Sequence, residues 1–263
     1  MTSVAEFYSD TPIADLKQVI GDDLHYHFGF FHTPSDPFEE ALRNAVRNFY
    51  RWIPEGASVL DLGAGWGGPA SLLRKERQVR AFCLTNSPQQ FDYLGSLGLP
   101  AAQADLESGV QGVPEQVWDV VLMMESLEHI REKKALLSQL AGISDTLILR
   151  VNCSASYSEG GTRPSYGGTM VMPRPEELLM LLGQAGWKVI FYANRRQSSF
   201  PTIASWHQRL MSRYQGVVES MPGHMQALWR LCLEAERNPG AWVSQNPLVD
   251  VVARRDSTQH TKS

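Results

Sequence analysis

The sequence predicts an α/β protein built on one doubly wound parallel sheet with helices on both faces. Three observations predict it. From Ala57 onward, short apolar runs alternate with segments of helical length, the order that places crossover helices between parallel strands. The run LDLGAGWGGPA, residues 60–70, sets Gly63, Gly65 and Gly68 between a strand pattern and a helix pattern, and glycines in that spacing let a ligand approach the backbone. The chain has 263 residues, 43% hydrophobic and 20% charged, which suffices for a full core and argues against a largely disordered chain.

The elements follow in order. Residues 11–20 form a short helix. In 36–53, Asp36 is a cap candidate and Pro37 a first-turn residue; Phe38, Leu42, Ala45, Val46, Phe49 and Trp52 then recur at helical spacing, until Pro54–Gly56 stops the pattern. Between these helices, LHYHFGFF (24–31) is aromatic without a period. Strands are expected at 57–63, 79–85, 101–105, 117–126, 146–152 and 187–195. Helices are expected at Pro69–Arg77, 88–97, Glu132–Gly142 and 175–186. Residues 202–238 read as helical, and PLVDVVARR (247–255) as a seventh strand. Right-handed crossovers favour the doubly wound layout.

Composition narrows the function. A formal net charge of −4 disfavours a protein held to nucleic acid by its overall field. Cys83, Cys153 and Cys232 are widely spaced, so they suggest free thiols in a reducing compartment. The first ten residues lack the basic and apolar regions of a secretory signal, and no apolar run reaches the ~18 residues that suggest a membrane span. The expectation is a cytoplasmic protein with no membrane or nucleic-acid partner. His25, His27 and His32 cluster without matching a strong zinc or iron spacing, so no metal is expected.

Two details of the glycine turn discriminate among nucleotide cofactors. Asp61 stands two residues before Gly63, at the carboxyl end of the first strand. An acid there is unhelpful to a pyrophosphate at a helix N-terminus but suits a cationic ligand. The nicotinamide fingerprint also requires an acid about 20 residues further on, where this chain has FCLTNSPQQ.

At VLDLGAG the sequence resembles the class I S-adenosylmethionine-dependent methyltransferases, and the resemblance runs from about Leu24 to Arg255. It implies a Rossmann-like, seven-stranded sheet whose last strand is antiparallel. It further implies that Asp61, Gly63 and Gly65 hold the methionine part of S-adenosylmethionine. CLTNSPQQ is similar to a Thr-x-Ser-x-x-Gln variant found in cyclopropane fatty acid synthases and several small-molecule methyltransferases, placing Thr85 and Gln90 on the ribose. By the same resemblance Asp105 takes the adenine amino group with Leu106 beside the ring. Tyr26 and His27 lie near the methionine carboxylate, in a loop that closes over the cofactor. Cyclopropane synthases usually carry a cysteine two residues after that tyrosine; Phe28 stands here, which weighs against cyclopropane chemistry.

MMESLEHI (123–130) closes the fourth strand, where methyl and acceptor should meet. Glu125 and His129 are the catalytic candidates, since a base near neutral pKa serves an acceptor that must lose a proton. Glu128 is a pocket candidate or a cap. The long irregular stretch 150–175 borders the acceptor side and offers Arg150, Tyr157, Arg163, Tyr166 and Arg174 to an anionic or hydroxylated substrate. Trp206 is a candidate for the inner face of the 202–238 helices.

The expected function is methyl transfer from S-adenosylmethionine to N, O or C of a small molecule by direct displacement, in a monomer or homodimer. A nicotinamide-dependent oxidoreductase and a non-catalytic cofactor-binding subunit are the alternatives. The whole chain reads as one domain (1–263): a helical cover (1–56), a cofactor-binding core (57–195), a helical lid or wall (196–245) and the last strand (246–255).

Overall fold

The computed structural model describes residues 6–7, 10–156 and 170–256. Tyr157, Arg163 and Tyr166 therefore lie outside the described residues. Helix α1, Ile13–Ile20, starts after Pro12 and buries Leu16, Val19 and Ile20. Helix α2, Phe38–Arg47, is shorter than the apolar period suggested; the chain then makes a separate 3-10 turn over Tyr50–Trp52. Asp36 does not cap α2. Its carboxylate accepts from the backbone N–H groups of His32 and Thr33 at 2.7 and 3.2 Å, and Pro37 holds the cap position.

Seven strands form one sheet in the order β3-β2-β1-β4-β5-β7-β6. They are β1 Ser58–Leu62, β2 Arg80–Thr85, β3 Ala101–Gln103, β4 Val120–Met124, β5 Thr146–Asn152, β6 Trp187–Asn194 and β7 Leu248–Arg255. The first five are mutually parallel, and β7 runs antiparallel to both β5 and β6. Strands β1, β4 and β5 are buried at every position, as strands covered on both faces must be. Three helices, α3 (Gly68–Arg77), α4 (Pro88–Ser96) and α5 (Lys133–Ala141), separate the parallel strands, and α6 (Pro175–Gln184) precedes β6. The chain leaves β1 toward β2 and β3, then returns to β4 on the other side. That reversal opens a crevice at the carboxyl ends of β1 and β4, the usual ligand position in such sheets.

The expected 202–238 helical stretch is divided. A short turn, Arg196–Ser199, leads into α7, Pro201–Arg213; α8, Gly223–Arg237, and α9, Pro239–Gln245, follow. Two apolar clusters sit against the two faces of the sheet. A third joins Leu16, Val19, Ile20, Phe28 and Phe31 of the N-terminal segment to Ile203, Trp206, Leu210, Met225, Leu228 and Trp242 of the insertion. Cover and insertion thus share one core, and they pack over the end of the sheet where the crevice opens. No helix among the described residues is long and apolar enough to cross a membrane.

Candidate functional site

The glycine turn after β1 is shaped from below. Gly63, Gly65 and Gly67 all have positive φ, at 71°, 56° and 79°, which side-chain-bearing residues rarely adopt. A Cβ on Gly63 would sit 2.5 Å from Cβ of Ser126. Ser126 is itself tied to β1, its hydroxyl donating to the Leu62 carbonyl at 2.7 Å. Gly68 admits the N-terminal segment: a Cβ there would come within 2.9 Å of the Asp23 carbonyl oxygen. Gly65 has nothing within 4 Å of its Cβ position, so the turn is pinned beneath and open above.

Asp61 is the penultimate residue of β1, two positions before Gly63. It is 1% exposed, and its Oδ2 has no hydrogen-bond partner among the described residues. Burial pushes its carboxyl pKa up to about 7. A buried carboxylate oxygen left without a partner is costly and calls for a ligand or water. That orphaned acid, beside an open glycine cradle, fits a cationic small molecule.

The second strand ends in a local hydrogen-bond set. Thr85 donates its hydroxyl to Gln90 Oε1 at 2.6 Å, the Ser87 N–H donates to Thr85 Oγ1 at 3.2 Å, and the Gln90 N–H donates to Ser87 Oγ at 3.3 Å. Ser87 therefore caps α4, and the same turn fixes Thr85 and Gln90, both buried. The expected third strand stops at Gln103. Asp105 is exposed and uses one oxygen to accept from the Glu107 N–H at 3.0 Å, capping a 3-10 turn that buries Leu106.

The N-terminal segment crosses the strand ends. The Phe28 N–H donates to Glu125 Oε1 at 2.8 Å, and the Phe28 carbonyl accepts from Arg150 Nη1 at 2.8 Å. The Gly29 N–H donates to Thr202 Oγ1 at 2.9 Å. Tyr26 is half-buried, with its hydroxyl 2.6 Å from His224 Nε2 on α8 and its ring edge-on to Trp206. His27 is buried, with Nε2 3.2 Å from His25 Nδ1 and Nδ1 3.1 Å from the Phe28 carbonyl. Both ring nitrogens are thus occupied within the protein, and burial holds its pKa well below the usual histidine value.

At the end of β4, Glu125 takes a left-handed φ of 56°, a conformation that costs energy for a non-glycine residue. Its oxygens accept from the Phe28 N–H and from Asn152 Nδ2 at 3.0 Å. Burial raises its pKa. Glu128 and His129 lie on a 3-10 turn, Leu127–His129; Glu128 is fully buried and His129 half-buried. Glu128 Oε1 accepts from Asn152 Nδ2 at 2.6 Å, whereas Oε2 has no partner among the described residues. Burial and the neighbouring Glu125 carboxylate push the Glu128 pKa up to about 7. Trp206 is 2% exposed and stacks at a tilt on Phe28, 4.8 Å between centroids, so it forms part of the shared core.

Two arginines change places relative to the sequence expectation. Arg150, a candidate for an anionic substrate, is fully buried and committed to Asp250 of β7 through Nε at 2.7 Å and Nη2 at 3.1 Å. Arg174 pairs with Glu176 at 2.9 Å and sits at the start of α6. Arg196, which the sequence did not single out, enters the site. It is 2% exposed, donates from Nη2 to Asn152 Oδ1 and from Nε to the Asn246 carbonyl, both at 2.5 Å, and lies over the rings of Phe28 and Trp242. A cue existed for Asp250 and Arg150: each is a lone charge inside an apolar strand, LVDVV and LILRV, and buried charges need partners. No cue of that kind marks Arg196. Among the described residues, no three His, Cys, Asp or Glu side chains converge as a metal site.

Comparison with known proteins agrees with this layout. The family model of the methionine biosynthesis protein MetW matches residues 43–155. The chain is 28% identical over 128 residues to a sarcosine/dimethylglycine N-methyltransferase of Aphanothece halophytica, covering 45% of this chain and 46% of that protein. It is 28% identical over 149 residues to a 2-methyl-6-phytyl-1,4-hydroquinone methyltransferase of Synechocystis sp., covering 52% and 46%. The matched regions thus span about half the length of these relatives. Among solved structures, a cyclopropane synthase of Mycobacterium tuberculosis superposes with a TM-score of 0.81 at 13% identity, covering 97% of this chain and 99% of that one. The fold is the Rossmann-like methyltransferase fold, with the antiparallel strand where the resemblance put it.

Proposed function

We propose that this protein transfers a methyl group from S-adenosylmethionine to a small-molecule acceptor, in the cytoplasm. The observation that carries the reading is the buried, unpartnered Oδ2 of Asp61 beside the open glycine cradle at the point where the strand order reverses. S-adenosylmethionine supplies an electrophilic methyl group and two cationic centres. Asp61 would receive the cationic methionine part, with Gly63 and Gly65 giving it backbone access. Thr85 and Gln90, already fixed by their mutual hydrogen bond, would take the ribose; Asp105 and Leu106 would take the adenine. Tyr26, braced by His224 and Trp206, would close the cofactor from above. Cover, core and insertion act in this reading as one domain.

On the acceptor side, displacement is mainly a matter of holding the nucleophile near the methyl carbon and excluding water. The shared apolar core of cover and insertion supplies the exclusion. Glu125 acts by positioning: its two oxygens hold the Phe28 backbone and Asn152. His129, half-buried on the same turn as Glu128, remains the catalytic candidate from sequence. The relatives named above are, by their descriptions, an N-methyltransferase of sarcosine and dimethylglycine and a methyltransferase of a hydroquinone, and this chain is expected to work on a comparably small acceptor. Isothermal titration tests the reading: S-adenosylhomocysteine should bind and NAD should not. The opposite pattern would favour the oxidoreductase alternative, and binding without methyl transfer to any extract component would favour a non-catalytic subunit.

A further inference from the structure

Four buried polar atoms around Asn152 lack partners among the described residues: Glu128 Oε2, Arg196 Nη1, Trp242 Nε1 and Asn246 Oδ1. They belong to one connected array. Asn152 donates to Glu128 and accepts from Arg196, Arg196 donates to the Asn246 carbonyl and covers the Trp242 ring, and Asn246 Nδ2 donates to the Trp242 carbonyl at 2.7 Å. Native interiors rarely leave one such atom unpaired, so four on one array point to a ligand. The four divide by chemistry. Arg196 and Trp242 offer donors, one of them charged; Glu128 and Asn246 offer acceptors. Glu128 also stands three residues beyond Glu125 at the end of β4, beside Ser126, which lies beneath the glycine turn.

We propose that this array recognises the acceptor, and that the acceptor is an amino acid or N-substituted amino acid whose carboxylate pairs with Arg196 Nη1 and whose amine faces Glu128 Oε2. The assignment rests on the methyltransferase reading. The amine nitrogen's lone pair forms the bond to the methyl carbon. The sulfur–methyl bond breaks with its electron pair returning to sulfur, so the sulfonium becomes a neutral thioether. The proton shed by the nitrogen passes to Glu128 Oε2. Glu125, Lys133, Cys153 and Arg196 are the titratable groups around that carboxylate. Its raised proton affinity suits acceptance near neutral pH. This moves the proton acceptor from His129 to its buried neighbour. Both Glu128 and Arg196 are buried.

The test is titration of S-adenosylhomocysteine-loaded protein with glycine, sarcosine and anthranilate, each beside its primary amide. At least one acid should bind tenfold or more tighter than its amide. Arg196→Lys, which keeps the charge but shortens the reach, and Arg196→Met should both reduce that preference below about threefold while S-adenosylhomocysteine affinity stays within twofold. Glu128→Gln should retain acid binding but abolish the dependence of amine binding on pH between 6 and 8. Amides binding as well as acids, no acid binding at all, or an unchanged preference in Arg196→Lys would overturn the proposal. If the unsubstituted protein fails to bind S-adenosylhomocysteine, the methyltransferase reading itself falls, and the acceptor assignment with it.

Discussion

The two halves of the crevice are built in opposite ways. At the ends of β2 and β3, where the proposed reading puts ribose and adenine, the side chains are fixed by residues within five positions: Thr85 by Gln90, Gln90 by Ser87, Asp105 by Glu107. On the acceptor half, nearly every contact is long-range. Phe28 meets Glu125 and Arg150, Asn152 meets Arg196, and Arg150 meets Asp250. Local construction makes the first half a rigid preformed cradle. Long-range construction ties the second half to the integrity of the cover, the insertion and β7 together.

The contrast is easiest to break at Asp250. It accepts from Arg150, Arg195 and Asn48 and is fully buried. Asp250→Ala leaves Arg150 buried without its counter-charge, so urea unfolding should show a loss of about 3–5 kcal/mol. A loss below about 1 kcal/mol would mean that this half is not held by its charge network.

Asp61→Ala should do the reverse. Oδ2 has no protein partner to lose, so the melting temperature should hold or rise, while S-adenosylhomocysteine affinity falls about 100-fold, roughly 2.7 kcal/mol. Unchanged affinity in calorimetry would remove Asp61 from the site.

Glu128 sharpens the contrast through pH. Its folded pKa is raised from 4.5 to about 7 by burial and by Glu125. Between those values the unfolded chain releases the proton and the folded chain keeps it, so stability falls as pH rises through this window and levels off above it. Glu128→Gln should remove that slope, gaining up to roughly 3 kcal/mol at pH 8 relative to pH 4. Asp61, raised from 3.8 to about 7 by burial alone, predicts the same sign for Asp61→Asn. Chemical denaturation of each variant at both pH values decides it; a gain at pH 4 would reverse the sign.

The smallest effect belongs to a local cap. Ser87→Ala removes the acceptor of the Gln90 N–H, at a cost of about 1 kcal/mol. Because the same turn holds Thr85 and Gln90, S-adenosylhomocysteine binding should weaken only a few-fold.

Much of the fold is readable in the sequence. The resemblance implied Asp61, then Thr85 and Gln90, then Asp105 as the cofactor groups, and the fold puts them at or just past the ends of β1, β2 and β3. The apolar runs at β4 and β5 announced a sheet covered on both faces. Element ends were less legible. The helix expected over 36–53 ended at Arg47, since its later apolar residues pack from a 3-10 turn, and the strand expected to Asp105 stopped at Gln103 because Asp105 caps the next turn. The expectation for Arg150 was reversed by a partner 100 residues away. Arg196 went unseen because nothing beside it in the chain marks it as buried.

The sequence by itself determined the sheet, its glycine turn and the local hydrogen bonds at the ends of β2 and β3, because a strand–turn–helix unit carries its hydrogen-bond partners within a few residues. Only the tertiary structure decided the polar array around Asn152. Residues near 28, 128, 152, 196 and 246 have no local relation, and it is burial by the shared core of cover and insertion that brings their polar atoms together and leaves four of them waiting for a partner.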